Sequence, residues 1–168
     1  MASFHHLYDP EEEIWNIYLQ FEFADLEKEA PPSLERVIQW FQQYPGFEGY
    51  PGFIVKEGVP LKNVTGKTIR EISSNHGIEF VELSIKHAVN NFSNKQLLPG
   101  QSRLLAEAFM SEFESPLVFC NQCRGSGPHY WTSGFGGVTH PEFGHTIEYF
   151  LCCIDHKRIG FVFTLNDE

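Results

Sequence analysis

The two ends of the chain carry the clearest strand patterns. Apolar residues occupy every second position between residues 13 and 23, as Trp15, Ile17, Leu19, Phe21 and Phe23. A period of two is typical of a strand with one buried face. Near the other end, the apolar runs 146–154 and 158–165 flank a polar stretch at 155–157. This arrangement predicts a β-hairpin.

Helical spacing follows the first strand. A stripe with the spacing of one helix face is formed by Leu34, Val37, Ile38 and Phe41. Ser33 precedes the stripe and is a preferred N-cap residue. Trp40 lies beside the stripe and is predicted to flank the core. We expect the helix to end at Tyr44-Pro45-Gly46, because a residue before proline is pushed out of the helical region.

Two further helices are predicted in the middle of the chain. One begins at Ser102, again as an N-cap, and extends to about Glu114. The other is short, covers Thr68–Asn75 and is closed by Gly77. The stretch Ala24–Ala30, before the first helix, is predicted to be a charged connection.

Two more strands complete the predicted fold. Residues 78–89 alternate, with Val81, Leu83, Ile85, His87 and Val89 on the apolar side. A strand is also predicted over Leu117–Cys123. Together the elements predict an α+β fold, a single domain over residues 1–168. We expect a roughly five-stranded, mostly antiparallel sheet with two main helices packed on one face.

Composition adds a large core and an acidic surface. The 168 residues include 16 phenylalanines and are 42% hydrophobic, so the chain can bury a core without a disulfide or a metal. Asp and Glu number 22 against 12 Lys and Arg, which gives a formal net charge of −10. This charge repels phosphate backbones and argues against nucleic-acid binding, whereas it favours a basic protein partner.

The sequence carries no targeting or membrane signal. The first residues, MASFHHLYDPEEEIW, lack the cationic and apolar stretches of a signal peptide. No run of about 18 apolar residues occurs that could span a membrane. We therefore expect a cytoplasmic protein with no membrane partner, whose four cysteines are reduced thiols.

The sharpest chemical motif joins Cys120 and Cys123, which are separated by two residues. Two thiolates at this spacing can hold one tetrahedral metal when the backbone between them turns. His140 and His145 have a spacing that is common among zinc ligands. These four residues form the hypothesis of a zinc site. Buried, inert thiols and a redox pair are the alternatives.

The segment CNQCRGSG at 120–127 resembles one unit of the C-x-x-C-x-G-x-G zinc repeat of DnaJ-type chaperones. The resemblance covers eight of the 168 residues. Units of that family come in pairs, and this chain has no second C-x-x-C. The resemblance therefore implies no function for the chain as a whole.

Motifs of other enzyme classes are incomplete. Gly66 and Lys67 occur as in a phosphate-binding loop, but Leu61 stands where that loop needs another glycine. The segment 125–127 is not a G-x-S-x-G nucleophile elbow, and H-E-x-x-H is absent. No spacing of cysteine and histidine selects a nucleophile and its base. A catalytic role is therefore less favoured than a binding role.

Two glycine-rich aromatic segments are predicted to contact a partner. The longer one, 125–144, carries Tyr130, Trp131, Phe135, Glu142 and Phe143. Loops of this length in compact domains are usually functional or disordered, and rigid aromatic residues beside glycines make good contact surfaces. The shorter one, 46–52, carries Phe47 and Tyr50. A loop folded back on the core is the alternative for the longer segment.

These patterns favour a small acidic inhibitor of the immunity-protein or antitoxin kind. Such a protein would neutralise a basic partner, for example a nuclease toxin, through acidic residues around aromatic anchors. The alternative is a zinc-binding protein or metal-dependent hydrolase that uses Cys120, Cys123, His140 and His145.

Overall fold

The fold is described from a computed structural model that covers residues 3–9, 19–46, 61–92, 97–121, 138 and 147–166. The helices are α1 (Phe4–Leu7), α2 (Leu34–Gln43), α3 (Ser74–Phe92) and α4 (Gln101–Met110). The strands are β1 (Leu19–Asp25), β2 (Ile69–Ile72), β3 (Leu117–Asn121), β4 (Ile147–Ile154) and β5 (Arg158–Asn166).

The five strands form one sheet in the order β1-β5-β4-β3-β2, and every neighbouring pair is antiparallel. Helices α3 and α4 pack together on one face, here called the α3–α4 face. Helix α2 covers the opposite face, here called the α2 face. The predicted α+β fold, an antiparallel sheet with two helices on one face, is therefore confirmed. The helix predicted after Ser33 lies on the other face.

The predicted hairpin and first strand are confirmed in the described residues. Strands β4 and β5 pair from Ile154↔Ile159 onward, and the backbone N–H of Asp155 donates to the carbonyl of Arg158 at 2.9 Å. In β1, Leu19, Phe21 and Phe23 lie on the α3–α4 face, as the alternation predicts. Trp15 and Ile17, and the predicted strand end at Cys123, lie outside the described residues.

Helix α2 begins as predicted. The hydroxyl of Ser33 accepts a hydrogen bond from the backbone N–H of Arg36 at 3.2 Å, which satisfies one free donor of the first turn. Val37 and Phe41 are fully buried against the sheet. The chain leaves the helix at Tyr44, before proline, in an extended conformation.

The predicted strand over 78–89 is wrong, because these residues belong to α3. The buried positions of this helix are Gly77, Phe80, Val81, Ser84, Ile85, Ala88 and Val89. They follow the three- and four-residue spacing of one helix face. Glycine and serine interrupt that stripe, so the alternation of Val81, Leu83 and Ile85 is more visible in the sequence. His87 packs its ring against Tyr149, with 4.9 Å between the ring centroids.

The predicted helix over Thr68–Asn75 is also wrong. Ile69–Ile72 of that stretch form the short edge strand β2, which pairs with β3, and α3 begins at Ser74. Gly77 does not close a helix but lies in the first turn of α3. A Cβ at Gly77 would come within 2.9 Å of Met110 and of Val118, so its absence lets α3 lie close to α4 and β3.

Helix α4 starts and ends earlier than predicted. Its N-cap is Gly100, with φ at +75°, and Ser102 lies inside the helix with 3% of its surface exposed. The side-chain oxygen of Gln101 accepts the backbone N–H of Leu98 at 2.8 Å. The helix ends at Met110 instead of Glu114. The physical reason is that glycine readily adopts the left-handed conformation that starts this helix.

An aromatic cluster closes the α3–α4 face at the β1 edge. Phe4 of α1 is buried, and its ring centroid lies 5.0 Å from that of Phe21 and 5.1 Å from that of Phe23. Phe113, after α4, stacks on Phe23 at 5.9 Å. Below them, β5 carries Gly160, whose missing side chain leaves the space that the rings occupy.

We expect Gly160→Ala to lower the free energy of unfolding by about 1–3 kcal/mol, the usual cost of overpacking. The added Cβ would meet Phe113 at 2.7 Å, Phe23 at 2.9 Å and a backbone oxygen at 3.0 Å. Gly66→Ala is the matched control, because its Cβ would meet only Leu34 at 3.8 Å. Urea unfolding of both variants measures the effect, and equal changes would contradict the packing role of Gly160.

Asp155 fixes the turn between β4 and β5. Its residue is 1% exposed, and its carboxylate accepts the backbone N–H groups of Glu114 at 2.9 Å, Lys157 at 3.0 Å and Arg158 at 2.7 Å. Burial opposes ionisation, but these three bonds and nearby His156 outweigh it and lower the pKa of Asp155 from its ordinary value of 3.8. The ionised carboxylate therefore ties the hairpin turn to the segment after α4.

We expect Asp155→Asn to reduce the free energy of unfolding by about 1–3 kcal/mol at neutral pH, because a buried N–H loses its acceptor. The lowered pKa means that the unfolded state binds more protons, so the stabilisation is complete above about pH 5 and is lost at more acid pH. The difference in the free energy of unfolding between wild type and variant should therefore decrease as the pH falls below about 4. Asp25→Asn is the control, since its side chain is 93% exposed. A gap that is independent of pH would contradict this account.

Candidate functional site

Most residues of the predicted sites lie outside the described part of the chain. These are the partner-contact residues Phe47, Tyr50, Tyr130, Trp131, Phe135, Glu142 and Phe143, and the zinc-site residues Cys123, His140 and His145. Their roles stay predictions. Cys120 is described, and it lies in β3 on the α3–α4 face with no exposed surface.

The described thiols are packed as apolar side chains. Cys152 lies in the core of the α2 face, and Cys153 lies in the core of the opposite face, with its Sγ 3.6 Å from the sulfur of Met110. Burial raises the pKa of both thiols above the ordinary value of 9.0. Within the described residues, no group of three or more His, Cys, Asp and Glu side chains could hold a metal ion. Cys152 and Cys153 are therefore unsuited to act as thiolate nucleophiles.

A cleft lies between α2 and the connection that leads to it from β1. Its volume is about 460 Å³. The residues that define this α2 cleft are Asp25 at the end of β1, Glu27 and Lys28 on the connection, Arg36 and Trp40 on α2, and Tyr44 directly after α2. The volume falls within the range of roughly 300–1,000 Å³ that is usual for ligand sites.

Backbone hydrogen bonds hold the wall of the α2 cleft in place. The guanidinium of Arg36 donates to the carbonyl of Ala30 at 2.6 Å and to that of Lys28. At the other side of the connection, the N–H of Leu26 donates to the carbonyl of Lys157 at 2.8 Å, and the N–H of Ala30 donates to that of His156 at 3.0 Å. The connection is therefore bound both to α2 and to the hairpin turn.

The helix side of the cleft is aromatic. Trp40 is half-buried and stacks on Tyr44, with 4.9 Å between ring centroids and 23° between ring planes. It packs edge-on against Phe41, so the prediction that Trp40 flanks the core agrees with its position. The hydroxyl of Tyr44 donates to the carboxylate of Glu22. Burial raises the pKa of Glu22 above its ordinary value of 4.5, and the bond from Tyr44 opposes that shift.

The described surface carries unpaired charges of both signs, since exposed Lys28, Lys67 and Lys157 have no ion pair there. Basic side chains with polar partners there are Arg36, Lys62, Lys86, Arg103 and Arg158. In the same part of the structure, exposed carboxylates without an ion pair or a side-chain hydrogen bond belong to Glu27, Glu29, Glu35, Glu71, Glu79 and Glu114. Of these, Glu27 lines the cleft, Glu29 lies on the same connection, and Glu35 lies in the first turn of α2.

The α2 cleft is not evident in the sequence, although both of its walls are. Ala24–Ala30 is predicted as a charged connection and Trp40 as a flanking core residue. The link between them is Arg36, whose bonds go to backbone carbonyls and leave no trace in side-chain patterning. The signal that was available is the acidic stretch 25–29, shortly before a helix that carries an off-stripe tryptophan.

Comparison with known proteins identifies no relative. The sequence matches no protein-family model, and no curated protein and no solved structure matches it significantly. Among the described helices, none has the length and apolar character needed to cross a membrane. The site must therefore be interpreted from its own chemistry.

We expect Cys120, Cys152 and Cys153 to resist alkylation by iodoacetamide in the native protein, since each is fully buried. Peptide mass mapping after a brief reaction at mildly alkaline pH measures the modified fraction. The same reaction in urea is the control and should modify all three. Rapid native alkylation of Cys152 or Cys153 would contradict the packing role assigned to them.

Proposed function

We propose that this protein is a small acidic inhibitor that binds and neutralises a basic protein partner, in the manner of an immunity protein or an antitoxin that blocks a nuclease toxin. The observation that supports the proposal best is that exposed, unpaired Glu27 lines the α2 cleft together with half-buried Trp40, while Glu29 and Glu35 are exposed on the two segments beside it. It combines the two features that fast, tight inhibition of a basic partner requires.

The first feature is charge. Glu27, Glu29 and Glu35 are exposed and have no ion pair in the described structure, so their field is available to an approaching partner. Complementary charge speeds association and rejects partners of the wrong sign. The formal net charge of −10 acts in the same direction over the whole molecule.

The second feature is an aromatic anchor. Tryptophan, tyrosine and arginine contribute most of the binding energy at protein interfaces, usually at the centre of the contact. Trp40 and Tyr44 line the cleft, and Pro45 beside them leads directly into the segment that carries Phe47 and Tyr50. We propose that this segment extends the contact surface, and that residues 130–143 supply a second part of it.

The zinc hypothesis has less support. Of its four proposed ligands, Cys120 alone is described, and its side chain is buried in the sheet core on the α3–α4 face. A zinc-binding or hydrolase function therefore rests on the spacing of Cys123, His140 and His145 in the sequence.

A comparison of two charge-reversed variants tests the proposed function. Glu27→Lys/Glu29→Lys/Glu35→Lys, here called the cleft variant, changes the cleft and the two segments beside it, and Glu71→Lys/Glu79→Lys/Glu114→Lys makes the same change of net charge elsewhere. Basic proteins retained from a native lysate at low salt on the immobilised wild type are identified, purified and titrated against each variant. We expect the cleft variant to lose about tenfold or more in affinity, and the control about threefold or less, because steering fades beyond a Debye length.

The retained partner should also lose its own activity when the wild-type protein is added. This result distinguishes inhibition from binding without inhibition. If no basic protein is retained at low salt, the proposed function is wrong. Equal losses of affinity in the two variants would show that the partner is held by net charge alone. That result would likewise contradict a specific inhibitor.

A further inference from the structure

The outer edge of β2 carries backbone groups that can pair with an added strand. Among the described strands, β2 ends the sheet and pairs with β3 alone. The backbone N–H of Ile69 donates to the carbonyl of Thr65 at 3.1 Å, so it points away from β3. Backbone groups of alternate residues point to the same side of an antiparallel strand, so the N–H and the carbonyl of Glu71 also point outward. Glu71 is exposed, which leaves this edge accessible.

The side chains of β2 alternate between the two faces of the sheet. Ile69 lies in the core of the α2 face, and Ile72 packs against the core of the α3–α4 face. Arg70 lies opposite Cys120, which belongs to the α3–α4 face, so Arg70 is on that face and Glu71 is on the other. A strand added to β2 would therefore place one residue beside Arg70 and the adjacent residue beside Glu71.

Arg70 has a hydrogen-bond donor that the described structure does not satisfy. Its side chain is half-buried, and its Nε atom is buried without a hydrogen-bond partner. The ion pairs among the described residues do not include Arg70. Buried donors in native proteins rarely lack an acceptor, because an unmade hydrogen bond destabilises the fold. A carboxylate can accept two parallel hydrogen bonds from one guanidinium, so a carboxylate on an added strand fits Arg70.

A second copy of β2 is a poor occupant of this edge. Two copies of the sheet joined antiparallel through β2 keep corresponding faces on the same side, so residues opposite each other must come from the same face. The registers that pair three residues of each strand therefore place Arg70 opposite Arg70, or Glu71 opposite Glu71. Like charges directly opposite each other destabilise a strand pair. A different chain can instead place an opposite charge beside each of the two residues.

We propose that the outer edge of β2 binds an extended segment of another protein as an added antiparallel strand. That segment carries a lysine or arginine opposite Glu71, followed directly by an aspartate or glutamate opposite Arg70, with β-branched residues on each side. Backbone hydrogen bonds supply affinity, and the two charge pairs select the sequence. The α2 cleft lies at the end of β1, the opposite edge strand, so this inference does not rest on the proposed function.

The test uses the full-length protein and three dye-labelled peptides in fluorescence anisotropy titrations at low salt. The matched peptide is Thr-Val-Lys-Glu-Val-Thr. The exchanged peptide, Thr-Val-Glu-Lys-Val-Thr, has the same composition and net charge but places like charges opposite Arg70 and Glu71. The methylated peptide has the matched sequence with a methyl group on the backbone nitrogen of lysine, which removes the N–H that would donate to Glu71. Hydrogen exchange of the Glu71 amide locates the bound peptide.

Three variants complete the test. Glu71→Lys reverses the charge at an exposed position of β2, and Glu35→Lys makes the same change of net charge on exposed α2 as a control. Arg70→Glu/Glu71→Arg exchanges the two charges without a change of net charge. Urea unfolding checks the fold of this double variant, because Arg70 is half-buried.

We expect the wild-type protein to bind the matched peptide about fivefold or more tightly than the exchanged or the methylated peptide. The bound matched peptide should slow the exchange of the Glu71 amide. Glu71→Lys should lose about three- to tenfold in affinity for the matched peptide, and Glu35→Lys about twofold or less. Arg70→Glu/Glu71→Arg should prefer the exchanged peptide. Glu71→Lys and the three peptides decide the matter even if the double variant folds poorly.

Three results would overturn the inference. The first is no binding of the matched peptide at millimolar concentration, because β2 would then be closed to an added strand. The second is equal affinity of the wild-type protein for the matched and the exchanged peptide. The third is unchanged exchange of the Glu71 amide in the complex, which would place the peptide elsewhere. None of these results bears on the capture and inhibition of a basic partner, so the proposed function stands or fails separately.

Discussion

Burial of both faces of the β4–β5 hairpin is the constraint on which the rest of the structure depends. The side chains of residues 149–154 and 159–164 are buried on both sides of the sheet. Apolar faces must be covered by another layer, so the hairpin requires a cover on each side. The pair α3 and α4 supplies one cover, and α2, with residues around Leu61, supplies the other. The glycines at 77 and 160 mark where the cover approaches most closely.

The α2 cleft is a consequence of this layering. Helix α2 uses Val37 and Phe41 to cover the sheet, which leaves Trp40 at the margin of the contact, where it faces the connection from β1. That connection is bound by Arg36 on one side and by carbonyls of the β4–β5 turn on the other. The turn is itself held by buried Asp155. A binding surface on this wall would therefore be formed before a partner arrives, which reduces the entropic cost of association.

Elements whose periodic spacing of apolar residues is unbroken were predicted correctly from the sequence. Elements whose spacing is broken by residues needed for close packing were not. The hairpin and α2 with its Ser33 cap were predictable, because their periodicity and their capping chemistry are local. Helix α3 was not, because Gly77 and Ser84 interrupt the apolar stripe of its buried face. Gly77 lies against Met110 and Val118, and the hydroxyl of Ser84 donates to the carbonyl of Phe80 in the same helix. For the site, the acidic and aromatic character was evident in the sequence, but the residues named for it lie outside the described structure.

By itself, the sequence determined an α+β chain with a strongly apolar hairpin, a capped amphipathic helix and an excess of negative charge. These properties follow from composition and from spacing within one element, so they need no knowledge of distant contacts. Only the tertiary structure decided that residues 69–72 form an edge strand, that 78–89 are helical, and that acidic residues of a connection lie beside Trp40. The reason is that β2 pairs with β3, and α3 packs against α4, through residues that are far apart in sequence. The bonds of Arg36 go to backbone carbonyls, which the pattern of side chains cannot show.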